Sequence, residues 1–431
     1  MDSFGALEEN FSHKYLKPSG ITTEYIKLVK HDGEEIDIQY LVAEYDIIES
    51  MSNMSLVCNI SINDAINLME DFQLSGNEKI LIKIRRYEPD IKKEVIREFE
   101  FYVVSYPLFS KPNTNVQVYR IKCASKHLFM NTLKTISRNV KGNASSIITS
   151  IFHRDCLVNK DLIDQSSDCN NNISYNIPNL KPFEAIENIS RKSTGSKGSP
   201  LYVWESLSKL NIKTLSEIYE QEPSFNYIQD SFASEDNQDN MYMKDLTKVL
   251  EISSDLKMSK IHQSRNGAFG SKIKSFDLID KTYNEITFSL QNDSISKISK
   301  FQTLSKKFKV DEKTVDQFSD AVHFELFTNK NSSGVGDNIE TSLGNRESHL
   351  SNIDTINHTI QTFGNPRLEA GTIINLSLEA SLDDRVETRS KPINKYMSGK
   401  HLVYTVKHKF TSKGYSCTAV LKKDGIETSL N

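Results

Sequence analysis

The stretch from Ser398 to Leu421 constrains this chain more than any other. Leu402, Tyr404, Val406, His408 and Phe410 alternate with other residues, and Thr411-Ser-Lys-Gly414 supplies a turn. Tyr415, Cys417, Ala419 and Leu421 then alternate again. A period of two collects each set on one side of a strand, so the stretch predicts an antiparallel hairpin with one buried face. Two strands alone are barely stable in water, so the rest of the sheet must come from elsewhere in the chain. Just upstream, Gly364-Asn-Pro-Arg-Leu-Glu-Ala-Gly371 reads as a turn, and Ile374, Leu376 and Leu378 read as a further strand.

A second β-rich region spans Ile21 to Cys123. Ile26 and Leu28 alternate with charged residues, His31-Asp32-Gly33 marks a hairpin turn, and Ile36, Ile38 and Tyr40 follow. A helix is expected after the run Leu56–Ile62, because Ile62, Ala65, Met69 and Phe72 share a face at helical period and Gly76 can end it. Strand patterns return at Ile80–Ile84, Phe99–Val103 and Tyr119–Cys123. One helix is then expected over Leu128–Ile136, a second over Ile147–Phe152 and a third over Phe183–Ile189. Lys134, Arg138 and Lys141 lie on a basic connector between the first two. Strands resume at Leu201-Tyr-Val-Trp204, and Ile273–Ile279 is another.

Arg265-Asn-Gly-Ala-Phe-Gly-Ser-Lys272 is glycine-rich and basic, but it lacks phosphate-loop spacing and a strand pattern follows it, so it reads as a turn between strands. The segment Asp230–Asn240 is an acidic surface loop, and Asn331–Asn338 is another loop. A helix from Leu343 to Thr362 is expected to stop before Pro366.

Charge and cysteine usage exclude several classes. Against 53 basic residues stand 57 acidic ones, a net charge of −4, which argues against a chain whose main business is coating nucleic acid. The five cysteines are scattered with no C-x-x-C pair, so they read as free thiols rather than a disulfide framework or zinc site. Met1–Gly20 contains no apolar segment of the signal-peptide type, and no run of about 18 apolar residues suggests a membrane span.

No catalytic constellation emerges. The histidines are dispersed, and His401 and His408, seven apart in one predicted strand, are expected on opposite faces. His408 reads as a core histidine. Asp383-Asp384 is a loop pair with no converging partner, and no G-x-S-x-G elbow occurs. The expectation is no catalytic, cofactor-binding or metal-binding residue, no cofactor, and no enzyme.

Taken in order, several motifs resemble the large baseplate hub of contractile-tailed bacteriophages, with VgrG of type VI secretion a more distant relative. They are Pro182-Phe-Glu-Ala-Ile-Glu-Asn-Ile-Ser190, Pro200–Leu215, Arg265–Lys272, Gly364–Leu376, Ser398–Phe410 and Tyr415–Gly425. The resemblance implies a mainly β, α+β chain with two tail-tube-like antiparallel β-barrels and intervening small α/β and helical domains. On that reading 1–20 is an N-terminal arm, 21–124 the first barrel and 125–199 a helical connecting domain. Residues 200–290 begin the second barrel, 291–342 form an inserted peripheral domain, and 343–431 supply a helix and the remainder of the second barrel.

The resemblance further implies a homotrimer whose six barrels form a pseudo-sixfold ring. Its partners would be a trimeric spike, a hexameric tail-tube or tube-initiator protein and other baseplate proteins. DNA or tape measure would pass through the channel without specific binding, and no membrane is involved. The location would be the virion tail, assembled in the host cytoplasm. Because little follows Asp424, the spike and any wall hydrolase are expected as separate proteins. Three other readings compete: a tail-associated cell-wall hydrolase, a nucleic-acid module centred on Arg120–Lys141, and the hub of a non-contractile tail or secretion-type injector.

Overall fold

A computed structural model describes residues 19–88, 91–113, 116–169, 172–195, 198–229, 245–256, 260–278, 280–290, 309–318, 320–327, 339–380, 393–394 and 396–425. The expected loops at Asp230–Asn240 and Asn331–Asn338, the pair Asp383-Asp384 and most of 291–330 lie outside them.

Seven strands come first: β1 (Thr22–Val29), β2 (Glu35–Asp37), β3 (Val42–Ser50), β4 (Val57–Asp64), β5 (Lys79–Glu88), β6 (Lys93–Asn113) and β7 (Val116–Ser125). They pair in the order β3-β4-β7-β6-β5-β1-β2. In β5 the alternation is clean: Ile80, Ile82 and Ile84 are buried while Lys79, Lys83 and Arg85 stay partly exposed. The β1–β2 turn uses Gly33 at φ +90°, a conformation glycine reaches without penalty, and Asp32 accepts a hydrogen bond from the Glu34 amide at 3.0 Å.

The helix expected after Leu56 is reduced to one turn, α1 (Leu68–Asp71). Ile62 remains in β4, held between Val42 of β3 and Tyr119 of β7. Two sheet ladders there outweigh a helical spacing of four residues.

The connecting region folds on its own core. It contains α2 (Lys126–Leu133), β8 (Ile136–Asn143), α3 (Ala144–Arg154), β9 (Ile163–Gln165), β10 (Asn172–Leu180), α4 (Pro182–Arg191), β11 (Leu201–Glu205), β12 (Leu210–Thr214) and α5 (Leu215–Tyr219). Ile148, Ile151 and Phe152 of α3 pack with Ile186 and Ile189 of α4 and with Ile212 of β12. Ile136, expected in a helix, opens β8, and Arg138 and Lys141 of the basic connector lie in that strand. Arg138 there grips Asp155 through two hydrogen bonds of 2.9 and 2.6 Å, so its charge is internally spent.

The remaining strands are β13 (Asn226–Ile228), β14 (Val249–Asp255), β15 (Gly270–Asp277), β16 (Tyr283–Ser289), β17 (Lys309–Val310), β18 (Lys313–Thr314), β19 (Val322–Phe327), β20 (Ile356–Phe363), β21 (Ile373–Ser377), β22 (Gly399–Thr411) and β23 (Gly414–Lys423). Helix α6 (Lys260–Arg265) precedes β15, and α7 (Ile339–Asn352) precedes β20. Arg265–Lys272 therefore links a helix to a strand rather than two strands, with Gly267 at φ +75°. The helix expected to reach Thr362 ends at Asn352, and Ile356–Phe363 is strand instead. That segment is rich in β-branched residues and is flanked by β14 on one side and β23 on the other, so two ladders decide its state.

β20–β23 do not form a sheet apart from β1–β7. β22 pairs with β3, from Thr405 opposite Ser50 to Thr411 opposite Glu44, and this join makes one thirteen-stranded sheet. Its main path ends at β2 on one side and β14 on the other, with β21 attached to β22 and β13 to β21. The main core lies against it, shared by Ile26, Ile60, Ile80 and Phe101 from the first half and Tyr227, Ile360, Leu376, Val406 and Leu421 from the second. The mainly β, α+β class is as read.

From Pro200–Leu290, only β13 and β14 enter this large sheet. β11 and β12 pair with each other, and β12 also pairs with β9. β15 lies between β16 and β19 in a separate three-stranded sheet, where Ile273, Phe288 and Leu343 share a small core.

Candidate assembly site

The run Gly364–Gly371 lies where three parts of the molecule meet. Gly364 donates its amide to the Tyr415 carbonyl at 2.9 Å, and a Cβ there would fall 2.1 Å from the Tyr415 ring. Gly371 has φ +86°, and a Cβ would fall 2.1 Å from the Trp204 ring. Both positions thus need glycine for close approach, and Gly371 also for its left-handed backbone. Between them the chain makes polar contacts in every direction. The Ala370 amide donates to Glu49 of β3 at 3.0 Å, while its carbonyl accepts from the Trp204 indole at 2.9 Å. Glu369 accepts from Arg97 of β6 at 3.0 Å and from Ser206 at 2.7 Å. The buried Arg86 of β5 donates to the Gly364 carbonyl and pairs with Glu88 at 3.2 Å.

Glu49 is fully buried at the centre of this joint. Besides the Ala370 amide it accepts the Leu207 amide at 2.9 Å, and it meets His408 Nε2 at 3.2 Å. Burial first, and then the nearby Glu369, raise its pKa well above the ordinary carboxyl value. On the other side of the imidazole, Nδ1 lies 2.7 Å from the Tyr415 hydroxyl and 3.3 Å from Cys417 Sγ. A carboxyl, an imidazole and a thiol in series resemble an acid–base–nucleophile chain. Yet Glu49, His408 and Cys417 have no exposure at all and Tyr415 has 1%, so no substrate reaches them. The group is a satisfied polar knot in the core, as expected for His408.

One expectation about the histidines is overturned. β22 carries a bulge between Val403 and Thr405, which inserts Tyr404 and reverses the alternation. Val403 therefore shares the main core with Val406, and His401, two residues before Val403, falls on the same side as His408. Leu402 and Tyr404 turn instead to a second cluster around Trp204. The two histidines still sit ~20 Å apart along the strand, too far to share a metal.

A second polar group escaped the sequence reading because its members are 80 residues apart. Glu205 Oε2 accepts from Ser125 Oγ at 2.5 Å and the Leu56 amide at 2.6 Å, and lies 3.2 Å from His127 Nε2. Burial works to lower the His127 pKa, but the Glu205 charge and hydrogen bond outweigh it and leave it raised. The serine donates to the carboxylate and not to the imidazole, so no base activates it. Among the described residues no three His, Cys, Asp or Glu side chains converge as metal ligands, and all five cysteines are buried thiols.

The side of the large sheet away from the core carries several charge pairs. Lys83 meets Glu98 at 2.9 Å and Glu24 at 3.2 Å. Across the join, Lys407 meets Asp46 at 3.1 Å and Lys409 meets Glu44 at 3.0 Å. Charge pairs therefore lie on both sides of the β3–β22 join, next to the Trp204 cluster that Leu402 and Tyr404 enter.

No protein-family model matches the sequence, and no curated protein matches it. Solved structures do. A tail protein from Neisseria meningitidis MC58 aligns over 94% of this chain and 98% of its own, at TM-score 0.55 and 10% identity. The fold is that of a tail protein. The 43 kDa tail protein of prophage MuSo2 from Shewanella oneidensis aligns over 92% and 97%, at TM-score 0.50 and 10% identity. A Francisella PdpA–VgrG complex aligns over 100% of this chain and 62% of its own at TM-score 0.45 and 12% identity, too loosely to argue from. The tail-protein fold thus spans 94% of this chain although little sequence is shared. Within that fold the Gly364–Gly371 run is the staple binding sheet, connecting region and closing hairpin into one body.

Proposed function

We propose that this chain is the hub subunit of a phage tail baseplate, an architectural protein rather than an enzyme. Three copies form a pseudo-sixfold ring that joins a hexameric tail tube to a trimeric spike. The polar sheet face across the β3–β22 join lines its channel and lets genome or tape measure pass without specific binding. The observation that carries this reading is the tail-protein fold matched along nearly the whole of both chains. It is supported by the join itself, which binds the two β-rich halves into one sheet. The charge-paired outer face fits a lining that holds no polyanion, because Lys407 and Lys409 already face Asp46 and Glu44.

Native mass measurement with negative-stain imaging tests the proposal. The expected result is a trimer, or a trimer on addition of spike protein, with threefold or pseudo-sixfold density. A chain that stays monomeric in the presence of spike protein would overturn it.

A further inference from the structure

Between β6 and the connecting region lies a cleft of about 380 Å³, a volume typical of small-ligand sites. It has an apolar wall and an exposed apolar rim. Phe99 and Leu207 are buried in the wall, whereas Leu157 and Leu162 stand 50% and 51% exposed at the mouth. Leu157 has φ +57°, the left-handed region, where a leucine backbone is strained. The fold accounts for that backbone, since Leu157 is the left-handed residue just past α3 whose turn lets the Val158 amide reach the Phe152 carbonyl at 3.0 Å, whereas nothing in the described fold covers its half-exposed side chain.

Each carboxylate that lines the cleft has a partner of its own. Glu98 is held by Lys83 and Glu100 by Lys79. Glu205 is occupied by Ser125, the Leu56 amide and His127. Lys126 and Lys209 also line the cleft, and neither has an ion-pair partner among the described residues. Cys156 lines it too, but burial pushes its thiol up to about 12, so it is no nucleophile at neutral pH.

We infer that this cleft binds an apolar carboxylate, its hydrocarbon part against Leu157, Leu162 and Phe99 and its charge between Lys126 and Lys209. The same chemistry is offered by the C-terminus of a peptide ending in leucine-like residues and by a free acyl chain. The site lies outside the β3–β22 join and stands whether or not the chain forms a ring.

Calorimetric titration of the full-length chain tests the inference with three probes: N-acetyl-leucyl-leucine, its C-terminal amide, and decanoate. Saturable one-site binding is expected for at least one of the two acids, with the amide about tenfold weaker or worse. Tighter binding of the dipeptide acid identifies a peptide terminus, and tighter binding of decanoate an acyl chain. Lys126→Gln with Lys209→Gln should weaken the acids about tenfold and leave the amide unchanged, while Leu162→Gln should weaken all three. These side chains are partly or largely exposed, and unchanged thermal melting serves as the folding control. Failure of both acids to saturate, or equal affinities in the wild type and the lysine double variant, would overturn the inference.

Discussion

Replacing Glu49 with alanine should uncouple the two halves of the molecule more than any other single truncation at the joint. The carboxyl accepts the Leu207 amide at 2.9 Å and the Ala370 amide at 3.0 Å and touches His408 at 3.2 Å, all out of contact with water. Each buried N–H left without an acceptor costs roughly 1–3 kcal/mol, so the two amides alone account for about 4 kcal/mol. That is a large share of a typical stability of about 5–15 kcal/mol. The sole tryptophan, Trp204, donates to the Ala370 carbonyl, so its fluorescence reports on this joint during urea unfolding. With a slope near 3 kcal/mol per molar urea, the Glu49→Ala midpoint should fall by about 1 M. Glu49→Gln, which keeps the shape and one acceptor oxygen, should lose roughly half as much. Glu44→Ala, on the same strand but in an exposed pair with Lys409, should move stability by less than about 0.5 kcal/mol. If Glu49→Ala and Glu44→Ala shift the midpoint equally, the joint is not what holds the halves together.

Gly371→Ala should destabilise by about 3 kcal/mol, combining a positive φ with a Cβ 2.1 Å from the Trp204 ring, and should redshift the tryptophan emission. Stability should also fall with acidification. Burial lowers His358 to about 4 and His401 well below its ordinary value, so both are neutral in the fold while the unfolded chain takes up protons below about 6.5. Stability from these groups is therefore complete above about pH 6.5 and lost as pH falls toward 4. Melting temperatures at pH 7.5 and 5 should differ less in His401→Asn than in the wild type. Arg138→Ala, which strands the partly buried Asp155, should cost about 2 kcal/mol in denaturant unfolding, whereas a free basic patch at that position would cost almost nothing.

Periodicity alone made the local elements legible. The closing hairpin, with its turn at Gly414, stands where the alternation of Leu402–Leu421 places it, as do the strands of Ile80–Ile84 and Phe99–Val103. The core position of His408 was equally readable, since a lone histidine on an apolar face needs only one or two buried partners. The errors share a cause. Ile62–Phe72 and Ile353–Thr362 carry helical spacing, yet both contain residues captured by strands on either side, and a one-residue bulge at Tyr404 changed which face His401 occupies.

By itself the sequence determined that this is a mainly β chain whose last strands form a hairpin needing partners. Only the tertiary structure decided who those partners are. Hydrophobic alternation specifies which side of a strand is buried but carries no label for the strand beside it, so the pairing of β22 with β3, some 350 residues away, is invisible locally. The same holds for the Gly364–Gly371 staple. Its glycines and charges are plain in the sequence, and their reason appears only when Tyr415, Trp204, Glu49 and Arg97 arrive from four other places in the chain.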